Sequence, residues 1–341
     1  MRVAMYYNNS DVRLEEMVRP TAGPNEVLVR IMASGICGSD VMEWYRTRKA
    51  PLVLGHEISG VIEEAGQEVN GFRKGQRVVA THHVPCGSCR YCLSGNETVC
   101  DALRKTNYYP GGFSEYVRIP RVNVEKGVLS LPQEIGYEEG TFVEPLGCVV
   151  RGQRKAGVKE GQTVLVIGSG LSGLLHIQLA KSKGCTVIAT DISQFRLGMA
   201  ERLGADHVIS GTDDVTEKVK EFNGGRLADS VILCASAMPA ARQALQSVDR
   251  AGTVLVFALF DPGQEEAQPP IFEALSRGAT ITTSYAAVKK DLAEALDLLR
   301  KGRINARDMI THKLPLSETG EGFRLTAGSG DSMKVIIEPW R

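Results

Sequence analysis

The sequence predicts an α/β protein in which a doubly wound parallel sheet is joined to a discontinuous, β-rich second domain. Three observations carry that expectation. The first part alternates apolar and polar residues in short strand-like runs with irregular connections. From Gly161 onward, six short apolar runs alternate with helical patterns. Residues 310–339 then return to strand-like pieces such as Lys334-Val335-Ile336-Ile337, which we read as rejoining the first part.

In order, residues 2–7 and 26–34 read as strands on either side of the turn Pro20-Thr21-Ala22-Gly23-Pro24. Next comes Cys37-Gly38-Ser39-Asp40, which offers a metal ligand, a tight turn, a hydroxyl able to pass a proton, and a carboxylate. A short aromatic segment, 42–46, follows, and then Gly55-His56-Glu57 adds an imidazole and a second carboxylate. Cysteine and histidine suit zinc, and a carboxylate can fill a third place. A fourth place open to water or substrate makes such a site catalytic rather than structural. Taken alone, Cys37 and His56 are equally readable as a small buried hydrophobe and a hydrogen-bonded core imidazole. Residues 58–64 and 77–80 continue the strands.

Cys86-x2-Cys89-x2-Cys92-x7-Cys100 is the strongest single motif. Four thiolates this close can wrap one tetrahedral ion and leave no position open, so we expect a structural zinc loop over 86–100. An iron–sulfur cluster also takes four cysteines, but this spacing suits it less well. Four free thiols on one loop are prone to oxidation. Gly111-Gly112-Phe113 is expected to open a further strand through Val117. Residues 133–155 are helical in pattern, with Phe142-Val143-Glu144-Pro145-Leu146 as an interruption. A glutamate before proline is expected to be held out of regular helix, its carboxylate free to enter a cleft. Cys148 is a competing ligand candidate.

Thr163-Val164-Leu165-Val166-Ile167 reads as a strand buried on both faces. It runs into Gly168-Ser169-Gly170-Leu171-Ser172-Gly173 and a helix to Lys183, and the strand that follows ends at Asp191, 18 positions beyond Gly173. This is the context of a dinucleotide-binding, Rossmann-type loop. Gly168 and Gly170 let the backbone turn and approach a pyrophosphate, and Gly173 lets helix and strand pack closely. Ser172 lies in the same loop. Asp191 is expected to bind ribose hydroxyls and repel a 2′-phosphate, favouring NAD over NADP; Arg196 is placed to contact the ribose or adenine side. Further strands at 206–209, 230–234, 253–257 and 280–283, with helices at 194–203, 239–248, 272–277 and 292–300, complete six strands.

Forty basic residues balance forty acidic ones, so no global field attracts nucleic acid or anionic lipid. No apolar run approaches the ~20 residues of a membrane span, and residues 1–10 lack a signal-peptide core. With 43% apolar residues and eight cysteines, the chain reads as a cytosolic protein whose thiols bind metal.

Together these five motifs resemble the zinc-dependent medium-chain alcohol dehydrogenase family, in order and over essentially the whole chain. Glu144-Pro145-Leu146 resembles the sorbitol and polyol branch, along with its threonine-dehydrogenase-like relatives. The resemblance implies a GroES-like catalytic domain (1–147 and 286–341), a Rossmann NAD-binding domain (148–285), and an active site in the cleft between them. It also implies two zinc ions per chain and NAD(H) as cofactor. Cys37, His56 and Glu144 would hold the catalytic zinc, with Glu57 as alternate ligand or water partner and Asp40 orienting His56. Cys148 does not match the family position. The implied reaction passes hydride from a secondary alcohol of a polyol, cyclitol or sugar to the nicotinamide, with Ser39 relaying the hydroxyl proton. Where many relatives carry a relay histidine this chain has Met42, so the relay is expected to end at ribose and water rather than at Glu43. Trp44, Tyr45, Phe113 and Tyr285 are candidates for lining the substrate site. The resemblance further implies a homotetramer or dimer. Alternatives are a threonine-type 3-hydroxy amino acid dehydrogenase on the same scaffold and a non-enzymatic relative that has lost its cleft metal.

Overall fold

The computed structural model describes residues 1–260, 271–328 and 330–341. The chain divides into two compact units: Met1–Gly147 with Ala286–Gly302 and Ala306–Arg341, and Cys148–Tyr285 with Arg303–Asn305.

The first unit is built on antiparallel pairing, except that Ile310–Pro315 and Lys334–Glu338 run parallel. Its larger sheet runs Ile310–Pro315, Lys334–Glu338, Val27–Gly35, Glu57–Ala65, Arg77–Ala80 and Val128–Ser130, with Tyr116–Ile119 also on Val27–Gly35. Alternate residues Val27, Val29 and Ile31 pack with Ile58, Ile62, Val78 and Val117 into one core, as the two-residue side-chain period requires. A smaller sheet joins Arg2–Asn8 to Asp11–Glu16 and Leu52–Val53. Two pairings position the site: Gly35 lies opposite Glu57 on one side and Ile336 on the other. The C-terminal strand thus rejoins the N-terminal sheet and brings Lys334 to Glu57.

The second unit holds six parallel strands in the order His207–Ser210, Thr186–Asp191, Thr163–Ile167, Ala228–Leu233, Val248–Val256, Thr280–Thr283. The strand order reverses at Thr163–Ile167, where a doubly wound sheet binds its ligand. Its core joins Leu165, Ile188, Val231 and Val254 to helix residues such as Val219 and Ala244.

Two expectations change. Residues 111–113 are not strand; the strand begins at Tyr116, because Gly111 and Gly112 abut other backbone. A Cβ on Gly111 would sit 2.2 Å from the Val53 carbonyl. Second, a helix absent from the sequence reading, Val215–Phe222, is capped by Asp214, which accepts from the Glu217 N–H at 3.1 Å. Among the described residues no helix is long and apolar enough to cross a membrane.

Candidate metal centre and cofactor loop

Cys37 begins the turn that leaves strand Val27–Gly35. The Asp40 N–H donates to the Cys37 carbonyl at 2.9 Å and the Cys37 N–H returns to Asp40 Oδ2 at 3.2 Å, closing the turn on itself. The backbone N–H and the hydroxyl of Ser39 both donate to Cys37 Sγ at 3.4 Å. Asp40, fully buried, faces His56 Nδ1 at 3.3 Å. That contact fixes the imidazole and leaves Nε2 for a metal. Burial alone would lower the His56 pKa, but the Asp40 carboxylate and the Cys37 side chain raise it well above its ordinary value. Asp40 is held below the carboxylate range: its burial is outweighed by His56, Arg46 and the Cys37 N–H.

Ligand atoms of Cys37, His56 and Glu57 lie within 4.8 Å of one another. Glu57 is fully buried; its Oε2 accepts from the equally buried Lys334 ammonium, which also reaches the Ile36 carbonyl at 3.4 Å. Gly35 leaves room for this pair: a Cβ there would lie 2.4 Å from Glu57 Oε2 and 2.6 Å from Lys334 Cε, so both side chains would have to shift. Glu57 Oε1 is buried without a hydrogen-bond partner. An unpaired buried carboxylate oxygen is costly unless a cation or water meets it, and the thiol, imidazole and carboxylate of Cys37, His56 and Glu57 form a donor set that fits zinc.

Glu144 is half-buried and is not one of the three residues whose ligand atoms lie within 4.8 Å of one another, and its local structure corrects the sequence reading. It lies in the first turn of helix Val143–Ala156, whose first bond runs from the Leu146 N–H to the Phe142 carbonyl at 2.9 Å. Pro145 is tolerated there because first-turn N–H groups have no intrahelical partner to lose. Glu144 still acts, with Asp40 and Glu57, on Tyr108, whose pKa is raised well above its ordinary value, first by burial and then by these three carboxylates.

Sequence reasoning missed Lys334, Arg46, His82 and Tyr108. Lys334 had one local signal, a lysine heading the apolar run Val335-Ile336-Ile337 of strand Lys334–Glu338. Arg46 donates through Nε to the Ser39 carbonyl at 2.8 Å and through Nη2 to Ser39 Oγ at 3.2 Å. Glu43, by contrast, accepts from the Asn9 N–H at 3.0 Å, and Phe113 packs in the core against Phe323 at 5.7 Å.

In the four-cysteine loop, Sγ separations are 3.9 Å for Cys86–Cys92, 3.5 Å for Cys89–Cys92 and 3.6 Å for Cys100–Cys86. These are too long for disulfides and match the ~3.8 Å edge of a tetrahedron with Zn–S bonds of about 2.3 Å. N–H groups of Ser88 and Cys89 aim at Cys86 Sγ at 3.4 and 3.3 Å. Together with the Ser88 hydroxyl they lower that thiol to about 5, so a thiolate is ready for an ion. Cys89→Ser is expected to remove one zinc per chain by elemental analysis and to lower the thermal midpoint; an unchanged metal content would refute the site.

The glycine loop follows strand Thr163–Ile167 and opens helix Leu171–Ser182. Gly168 adopts φ +93°, which disfavours side chains. A Cβ on Gly173 would lie 1.9 Å from the Gly168 carbonyl, whereas one on Gly170 meets open space. Close packing thus dictates Gly173, and an unobstructed approach for ligand is left at Gly170. Ser172 hydrogen-bonds Cys234. Asp191 closes the loop, accepting from the Ser169 N–H at 2.8 Å and the Ser193 N–H at 2.9 Å, with Arg196 Nη1 at 4.0 Å.

The chain matches the alcohol dehydrogenase GroES-like domain over residues 23–133 and the zinc-binding dehydrogenase domain over residues 173–301. It is 33% identical to a sorbitol dehydrogenase of Halalkalibacterium halodurans, covering 96% of this chain and 95% of that one. It is 36% identical to an L-threonine 3-dehydrogenase of Pyrococcus furiosus, covering 95% and 94%. A solved structure from Sinorhizobium meliloti 1021, bound to NADP, superposes with a TM-score of 0.88 at 28% identity over 99% of each chain. With a GroES-like unit, a Rossmann unit and the motifs of both in place, this chain is an oxidoreductase of the zinc-dependent medium-chain alcohol dehydrogenase family.

Proposed function

We propose that the protein oxidises a secondary alcohol of a polyol, cyclitol or sugar with NAD, using a zinc ion held by Cys37, His56 and a carboxylate. The observation that carries this reading is the partnerless Glu57 Oε1 within the Cys37–His56–Glu57 cluster. Glu57 is the carboxylate in reach, and Glu144 is the one the family resemblance favours as third ligand. When bound, zinc acts as a Lewis acid on the substrate hydroxyl and NAD accepts the hydride. The chain's own residues do the rest. Asp40 fixes the His56 ring, Lys334 holds one oxygen of Glu57, and Ser39 takes the hydroxyl proton. Arg46 donates to Ser39 Oγ and, being permanently charged, orients the hydroxyl without accepting its proton. Initial rates across polyols, cyclitols, sugars and L-threonine test the reading. Polyol turnover should exceed that of L-threonine, and zinc analysis should return two ions per chain. The reverse order would favour the threonine-type activity that the Pyrococcus relative's name raises.

We further propose that NAD is preferred, because the buried Asp191 carboxylate stands where a 2′-phosphate would add a second negative charge. The S. meliloti structure of this fold is bound to NADP, so the preference here needs its own test. Asp191→Asn is expected to shift the NADP-to-NAD ratio of kcat/KM toward NADP by about tenfold or more, the worth of one charge-assisted hydrogen bond. An unchanged ratio would count against this role.

We also propose a homo-oligomer through the open edge at Thr280–Thr283. Ile281 there, and Phe272 and Leu275 on the preceding helix, are 45%, 78% and 73% exposed. A strand edge that pairs with no other strand among the described residues, beside apolar side chains, invites a second copy. Sedimentation should show a dimer or tetramer, and Ile281→Asp should dissociate it.

A further inference from the structure

Arg46 reaches the carbonyl and hydroxyl oxygens of Ser39 from helix Glu43–Arg46, a single turn of four residues. A helix that short has no stability of its own, since isolated helices below about 12–15 residues are marginal in water. Its place therefore depends on outside anchors, and the first hairpin supplies them on both sides. Asn9 lies in the two-residue turn between Arg2–Asn8 and Asp11–Glu16. It donates through Nδ2 to the Val41 carbonyl at 2.8 Å and through its N–H to Glu43 Oε1 at 3.0 Å. Further along, Leu52 and Val53 pair with Tyr6 and Met5 of the same hairpin. Tyr6 completes the link. Its hydroxyl donates to Asn9 Oδ1 at 3.0 Å, and its buried ring packs on Phe323 with centroids 5.5 Å apart. Both ends of the Asn9 amide are thus engaged, which fixes its orientation. The Arg46 N–H returns to the Met42 carbonyl at 3.0 Å, so any shift at Val41 or Glu43 passes to Arg46 within one turn.

We propose that Asn9 is a positioning residue for the reaction: it sets Arg46, and through Arg46 the Ser39 hydroxyl. This rests on the reading of Ser39 as the proton relay. A relay oxygen works only when aligned with the group it serves, and a misplacement of 1 Å costs as much as about 100-fold.

The test measures kcat, KM and the solvent deuterium isotope effect on kcat in the zinc-loaded enzyme with NAD, using the fastest alcohol of the substrate panel. Asn9→Ala should lower kcat about tenfold with KM within about twofold of wild type. Its isotope effect should be larger, because proton transfer then lags hydride transfer. Tyr6→Phe, which removes only the hydroxyl holding Asn9, should move both in the same direction by less. Adding Asn9→Ala to Arg46→Met should cost less than about twofold more, since the contact through which Asn9 acts is already gone. Asn8→Ala is the control, because that side chain accepts from the Ser10 N–H at 2.9 Å within the turn; it should keep wild-type kcat. The proposal is overturned if Asn9→Ala and Tyr6→Phe both keep wild-type kcat, if the losses from Asn9→Ala and Arg46→Met multiply in full, or if Asn8→Ala is as slow as Asn9→Ala. A slow Ser39→Ala beside an unaffected Asn9→Ala defeats this inference alone. An unimpaired Ser39→Ala defeats the relay reading and this inference with it.

Discussion

Replacing Cys37 by serine is expected to bring kcat/KM below about 1% of wild type while leaving NADH affinity within about twofold. The first effect follows from ligand chemistry. Disturbing even an outer partner of a metal ligand costs about 10- to 100-fold, and here a proposed ligand itself is lost, together with the sulfur that accepts from both the N–H and the hydroxyl of Ser39. The second follows from the division of the chain: Cys37 belongs to one compact unit, whereas Gly168, Gly173 and Asp191 belong to the other. Steady-state kinetics, zinc content and NADH fluorescence titration check it together. Zinc should fall from two to one per chain. Wild-type turnover in Cys37→Ser would end the assignment of the catalytic metal.

Lys334→Met should lower the stability of the first unit by about 3–5 kcal/mol, the usual cost of removing one partner of a buried ion pair. Both side chains are fully buried, so no solvent relieves the orphaned carboxylate, whose other oxygen already lacks a partner. The pair itself is not the stabilising element, since the desolvation of two charges cancels much of their attraction. The double variant Glu57→Gln/Lys334→Met should therefore recover much of the loss while remaining catalytically impaired. Urea unfolding followed by tryptophan fluorescence reads this unit selectively, because both tryptophans, Trp44 and Trp340, lie in it. A single variant as stable as wild type would show that the buried pair does not hold this unit together.

What was legible beforehand was written in short stretches of chain. The four cysteines span 15 residues, 86 to 100, and their thiols converge because tight turns leave them little else to do. The strand–glycine–helix unit at 163–182 was legible for the same reason, since apolar run, turn and helix are all local. Glu144 was misjudged locally, because a helix whose first turn contains a proline looks the same in sequence as a helix interrupted by one. The missing relay histidine at Met42 gave no hint that Arg46 would take hold of Ser39, since a four-residue helix and its exact turn decide that contact.

By itself the sequence determined the α/β class, the two glycine- and cysteine-based sites, and the candidates Cys37, His56 and Glu57, because spacing along the chain sets which donors can share an ion. Only the tertiary structure decided that Lys334, 277 residues from Glu57, would occupy one of its oxygens and leave the other buried without a partner. The pairing of the last strand against Val27–Gly35 makes that contact. No local pattern encodes such a register, because it depends on which edge of the sheet the returning chain finds and which face its lysine must bury.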